Sequence, residues 1–259
     1  MPPLARFRAT LAGAYFRLRR RPPDAQEPLW TATMTRWLIA ALVTALLAGL
    51  ADEAAIRAAM GSQAPAVRLM AWITNIGKSQ WYLVPAALVF IAVGLYDWSR
   101  GGPRAKVRRA FQLGQAAYVF LSVAAAGIAV NVVKVLVGRA RPIELEQLGA
   151  WHFDFLRFGY DYASFPSGHS ATVGAVAGIL MVWFPRWSIV IVELGLFFAA
   201  TRIAALAHYP SDVVTGFTVG VFSAVIVARW LARRGVVFRI AHGRTLPLPY
   251  SVLTRKTAA

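Results

Sequence analysis

The chain of 259 residues contains no cysteine, and only eleven of its residues are Asp or Glu, against 28 Lys and Arg. The lack of cysteine excludes disulfides, thiolate metal ligation and a cysteine nucleophile. Charge of either sign is sparse, at 15% of residues, whereas 58% are hydrophobic and the mean hydropathy is +0.54. A soluble domain of this length cannot hide so much apolar surface, so the composition describes a polytopic membrane protein built as one membrane domain. Also missing is any apolar stretch before Trp37: Arg6, Arg8, Arg17, Arg19, Arg20 and Arg21 lead into Pro22, Pro23 and Asp24. That order predicts neither a cleaved signal peptide nor a twin-arginine signal, and the first apolar run is expected to stay in the membrane as an anchor.

What is present is an alternation of apolar runs and basic connections. A membrane helix needs about 20 mainly apolar residues. Six segments approach this, at roughly 37–51, 81–98, 116–137, 170–184, 188–207 and 213–230. The expected fold is therefore all-α, a bundle of six transmembrane helices. Residues 1–36 form a basic N-terminal segment, 37–230 the membrane domain and 231–259 a basic tail. Between the first two spans, Leu69, Met70, Trp72, Ile73 and Ile76 have the spacing of an interfacial helix, although a loop with chance periodicity fits equally.

A net charge of +17 in a soluble protein would suggest nucleic acid as a partner. Here the basic residues sit between apolar runs and set topology instead, so no nucleic acid is expected. Twenty of the 28 fall on one side: the N-terminal segment with Arg36, the connection of Arg100, Arg104, Lys106, Arg108 and Arg109, the turn at Arg186, and the tail with Arg229, Arg233, Arg234, Arg239, Arg244, Arg255 and Lys256. Both termini are predicted cytoplasmic. The end of the third span, the start of the fourth, the end of the fifth and the start of the sixth then share the outer face.

Those four ends carry the residues with chemistry. Lys134 and Arg141 lie seven residues apart, two helical turns, before Pro142 ends the helix. Two stacked cations repel unless an anion lies between them, and phosphate fits; the alternative is that both snorkel to the headgroups. Arg139, on another face, is expected to snorkel. Pro166-Ser167-Gly168-His169 opens the fourth span, where Ser167 or Ser170 can cap the helix and free N–H groups with a positive dipole end can cradle an anion. Arg202 closes the fifth span, where a cation near the membrane centre costs roughly 2.5–3.5 kcal/mol and so needs a counter-charge or an aqueous pocket. His208 and Asp212 follow around Pro210. A carboxylate there can hold the Nδ1–H of His208 and leave Nε2 free to attack, while His169 on the same face can serve as acid.

In this order and spacing the residues resemble the type 2 phosphatidic acid phosphatase superfamily: Lys134 with six residues before Arg141-Pro142, then PSGH, then Arg202 with five residues before His208 and three more before Asp212. The resemblance covers about 116–230. It implies a nucleophilic His208 that becomes a phosphohistidine, an orienting Asp212, an acidic His169, and a phosphoryl cradle of Lys134, Arg141, Ser167, Gly168 and Arg202, with no metal and no cofactor. Thr201 stands where the family usually has serine. Glu144, Glu146, Asp154 and Asp161 are scattered along one connection and do not read as a metal site.

The implied function is hydrolysis of a lipid phosphate at the outer face of a bacterial inner membrane, with the lipid and the bilayer as partners. Undecaprenyl diphosphate, phosphatidylglycerophosphate, phosphatidic acid and lipid A all present the required group. A phosphotransferase using the same phosphohistidine is the nearest alternative; a vanadate-dependent haloperoxidase and a lipid or phosphate transporter are more distant ones. The aromatic-rich connection 143–165 is expected in the interfacial belt, with a headgroup-guiding lid as the alternative, and His152 within it is expected to be a surface or packing histidine. Glu193, inside the fifth span, is assigned to helix packing, because it lies about 13 Å from Arg202 along the helix and on roughly the opposite face.

Overall fold

The computed structural model describes residues 2–18, 26–98 and 102–250. Arg19, Arg20, Arg21, Arg100, Arg255 and Lys256, which entered the charge count, lie outside the described residues, as do Pro22, Pro23 and Asp24. The described residues are all-α apart from one hairpin of two short strands. Its helices are α1 (Pro3–Leu18), α2 (Ala32–Leu50), α3 (Asp52–Met60), α4 (Pro65–Ile73), α5 (Gln80–Gly94), α6 (Pro103–Val137), α7 (Leu145–Leu148), α8 (Gly168–Trp183), α9 (Ser188–Ala204) and α10 (Pro210–Ala232). Strands β1 (Phe238–Arg239) and β2 (Leu248–Pro249) pair antiparallel, with Phe238 opposite Pro249. Among the described residues, five stretches are long and apolar enough to cross a membrane: Ala32–Leu50, Pro65–Gly94, Pro103–Val137, Pro185–Ala204 and Pro210–Ala232. Helix α8 is apolar but shorter, at 16 residues.

Local sequence sets the ends. The Thr31 side chain accepts from Met34 N to cap α2, and prolines occupy the first turns of α4, α6 and α10, where their missing N–H is not needed. Helix α6 differs from the expected span, which began at 116. It starts at Pro103 and takes in Arg104, Lys106, Arg108 and Arg109. Hydropathy sees only the apolar part of such a helix, whereas Arg, Lys, Ala and Gln propagate it equally well. Its 35 residues reach about 52 Å, well beyond the roughly 30 Å of a hydrocarbon core. The stretch between the first two long helices is helical rather than a loop: α3 and α4 are followed by a 3-10 turn at Thr74–Gly77, and α4 packs on α9 with Leu69 and Trp72 exposed.

Helices α8 and α10 form the centre, packed along their length. Gly174 and Gly178 on α8 lie against Phe217 and Val221 of α10, and Gly216 and Gly220 on α10 against Ser167 and Ala171 at the start of α8, small residues at i,i+4 that let two membrane helices touch backbone to backbone. A Cβ on Gly220 would lie 2.1 Å from Ala171 O, and one on Gly174 2.1 Å from Phe217 O. Against this pair, α6 contributes Tyr118, Val123, Ala126 and Val130 on one side, and Met34 of α2 and Ala199 of α9 pack on the other. The outer faces stay apolar and exposed, with Leu42 and Leu46 on α2, Leu88 on α5, Ile128 on α6 and Ile189 on α9, as a lipid-facing bundle requires. Glu193 lies on that exposed side of α9 rather than between helices, which overturns its assignment to packing within the chain.

The two ends of the bundle differ. At one, α1 lies on α5 through Phe7 against Phe90 and a hydrogen bond from Thr10 Oγ1 to Gly94 O. At the same end the tail folds back, burying Val237, Phe238 and Ile240 against the core. Arg229, counted above among the basic tail residues, is fully buried and donates to the carbonyls of Pro28, Leu29, Arg244 and Thr245, which ties the chain before α2 to the segment after α10. The opposite end gathers the C-termini of α6 and α9, the N-termini of α8 and α10, and the 3-10 turn at Thr74–Gly77.

Candidate active site

Every residue singled out from the three motifs lies at that second end. Lys134 is in the last turn of α6, which stops at Gly138 in the left-handed conformation (φ +57°). A side chain there would collide with the backbone of Asp154, since a Cβ would lie 1.7 Å from its carbonyl oxygen. The chain after Gly138 therefore leaves the helix and runs beside the aromatic connection. Ala140 N bonds His152 O, Asp154 N bonds Gly138 O, Arg141 N bonds Asp161 O and Ser164 N bonds Arg139 O, with distances of 2.7–3.1 Å. The connection 143–165 thus straps the first motif in place through its backbone, while Phe155, Phe158 and Tyr160 stay exposed. His152 packs near Tyr162, with ring centroids 6.1 Å apart.

The cations converge. Lys134 Nζ and Arg141 Nη2 both donate to Ala163 O, and Arg141 Nε donates to Tyr160 O at 2.8 Å while its guanidinium lies over the Tyr160 ring. Burial lowers the pKa of Arg141 from its usual value. Ser167 caps α8, accepting from Ser170 N, and the Cε of Lys134 lies 4.0 Å from where a Gly168 Cβ would be. Arg202 Nη1 donates to Thr74 Oγ1 at 3.2 Å, while its buried Nε has no hydrogen-bond acceptor among the described residues. His169 packs against Gly77 and lies within electrostatic reach of Arg202, His208, Lys78 and Arg141. Thr201 is buried and donates to Phe198 O, so its hydroxyl serves the helix. Cations, the N–H groups at the start of α8 and two imidazoles thus gather at one end of the bundle, the donor set that a tetrahedral oxyanion requires.

The His208–Asp212 pair differs in detail from the expectation. His208 Nδ1 lies 2.8 Å from the carbonyl of Ser164 and 3.8 Å from Asp212 Oδ2. A carbonyl can only accept, so Nδ1 carries the proton and Nε2 the lone pair. Ser164 links the two residues, because its Oγ donates to Asp212 Oδ2 at 2.6 Å. Asp212, in the first turn of α10, also accepts from Tyr209 N. Burial holds the His208 pKa down at about 4, although the hydrogen bond and charge of Asp212 push it up.

Sequence reasoning missed three contributors. Arg139, expected to snorkel, is only 1% exposed and bonds Asp212, Ser211 and Asp52. The left-handed turn at Gly138 takes it off the helix surface and points it inward. Its signal was the basic pair spaced by one residue before Pro142. Asp52, buried at the start of α3, carried a weaker signal: a carboxylate at a span end in a chain with few. Ser164 carried none, because it acts through its backbone as much as its hydroxyl.

The PAP2 superfamily profile matches residues 115–235. The chain is 31% identical over 229 residues to a lipid A 1-phosphatase of Rhizobium johnstonii, covering 86% of this chain and 89% of that protein. It is also 31% identical over 175 residues to a lipid A 1-phosphatase of Rhizobium etli, covering 65% of this chain and 73% of that one. Among solved structures it resembles a transmembrane PAP2-type phosphatidylglycerolphosphate phosphatase of Bacillus subtilis at TM-score 0.40 and 18% identity, covering 73% of this chain and 92% of that one.

Proposed function

Because the chain belongs to the PAP2 superfamily and is a membrane lipid phosphate phosphatase, we propose that its substrate is lipid A and that it removes the phosphate at position 1. The observation that carries this reading is the extent of the likeness to the lipid A 1-phosphatases. It runs over 229 residues and so takes in helices before the 115–235 core as well as the core itself. The phosphate ester would enter the outer end of the bundle, between Lys134, Arg141 and Arg202, with the N–H groups at the start of α8 and Ser167 completing the cradle. His208 Nε2 attacks phosphorus; the bond to the sugar oxygen breaks, and His169 gives that oxygen a proton. Water then attacks the phosphohistidine, loses a proton to His169 and releases inorganic phosphate, restoring His208. Built-in positive charge supports the transferring phosphoryl group throughout.

The topology belongs to the same reading. Six spans follow if α8 crosses as well, and its short length is compatible with a helix buried among neighbours instead of facing lipid. The end bearing α1, Arg229 and the folded tail is then cytoplasmic, and the site faces the periplasm of a bacterial inner membrane. Detergent-purified protein should release phosphate from lipid A faster than from phosphatidic acid, phosphatidylglycerophosphate or undecaprenyl diphosphate. His208→Ala should abolish release. Faster turnover of another of these lipids would overturn the substrate, and activity surviving in His208→Ala would overturn the mechanism.

A further inference from the structure

Arg139 sits in a closed polar cluster beneath the site. A guanidinium has five N–H donors, and five contacts are made: Nε and Nη2 to Ala150 O (3.1 and 2.7 Å), Nη1 to Ser211 Oγ (2.8 Å) and Asp212 Oδ1 (2.6 Å), and Nη2 to Asp52 Oδ2 (2.7 Å). Asp52 in turn accepts from Ser211 N at 2.9 Å and from Ser211 Oγ at 2.6 Å. Trp151, Tyr209 and Phe153 cover the guanidinium, with ring centroids 4.8, 4.2 and 5.8 Å from its carbon. Asp52, Arg139 and Asp212 are each no more than 1% exposed.

We propose that Asp52 and Arg139 are positioning residues for the reaction, fixing Asp212 and tuning the charge it presents to His208. The proposal rests on His208 as the nucleophile. Arg139 anchors Oδ1 of Asp212, which leaves Oδ2 for Ser164 Oγ and Tyr209 N, and Ser164 holds the imidazole. The charge count gives Asp52 its purpose. One guanidinium between two carboxylates leaves the cluster with a net negative charge, which favours the positive imidazole that forms as Nε2 bonds to phosphorus. Without the Asp52 charge, Arg139 would be matched by Asp212 alone and that balance would be lost. Neither residue touches the phosphoryl cradle, so substrate binding should not depend on them.

The test is Asp52→Asn, close in shape but neutral, assayed beside wild type and His208→Ala on lipid A, or on phosphatidic acid if lipid A is not turned over. The expected result is a kcat lower by roughly 10- to 100-fold, the usual scale for outer groups that fix a reacting residue, with KM and inhibition by vanadate, a phosphate analogue, unchanged. A wild-type kcat, or KM and vanadate inhibition weakening in step with kcat, overturns the proposal. Where Asp52→Asn does not accumulate in membranes, Arg139→Lys replaces it. That variant keeps the charge, but one ammonium cannot grip both carboxylates, so unaltered turnover in it is equally fatal. Activity in His208→Ala would instead sink the nucleophile assignment, and the two failures are told apart on the same plate.

Discussion

At the scale of single residues, the site is governed by which proton each imidazole holds. His208 is kept neutral by burial, with a folded-state pKa of about 4 against the ordinary 6.5. Between those values the unfolded chain binds a proton that the folded chain does not, so the contribution of this group to stability is full above pH 6.5 and declines as the pH falls toward 4. Thermal unfolding in detergent should show that decline, and His208→Asn should flatten part of it; an identical pH profile in the variant would contradict the assignment. That His169, His208, Lys134, Arg141 and Arg202 would meet at one end of the bundle was legible in the sequence, because each sits at or beside a helix end. Arg139, Asp52 and Ser164 were not, because their partners come from segments far apart in the chain. Asp52 and Ser211 are separated by 159 positions, and no local pattern announces such a pairing.

At the scale of elements, α8 and α10 hold His169 and Asp212 at the same end of the bundle because glycine lets their backbones meet. Gly220→Ala would place a methyl against the backbone of Ala171, Gly174 and Ala175, none of which can give way as a flexible side chain would. The expected loss is about 1–3 kcal/mol of stability, read as a lower unfolding temperature in detergent micelles. An unchanged melting curve would mean that the two helices are not in contact there. Hydropathy located the apolar body of each crossing helix, but neither the glycine faces nor the true start of α6. Apolar content says that a helix meets lipid or core, and only the residues at the helix surface say how close its neighbour comes.

At the scale of the molecule, the two ends of the bundle use buried arginines for different purposes. Arg139 serves the site, whereas Arg229 ties the entry to α2 to the segment after α10 through backbone carbonyls alone. Arg229→Met would strip those carbonyls of their donor and should cost about 1–3 kcal/mol in stability, while leaving turnover at low temperature near wild type. Loss of turnover without loss of stability would place Arg229 in the mechanism instead. Charge bias in the sequence found the set of residues to which Arg229 belongs, yet counted it as a surface charge, since counting cannot see burial.

The position of Asp52 also bears on how the chain can be taken apart. It lies just after α2, outside the 115–235 core that carries His169, His208 and the residues proposed to bind phosphate. The core is thus not a transplantable module. A chimera that joined it to an N-terminal half without this carboxylate would inherit the reacting groups together with an arginine whose second counter-ion had been left behind, so exchange between relatives has to move the two halves together.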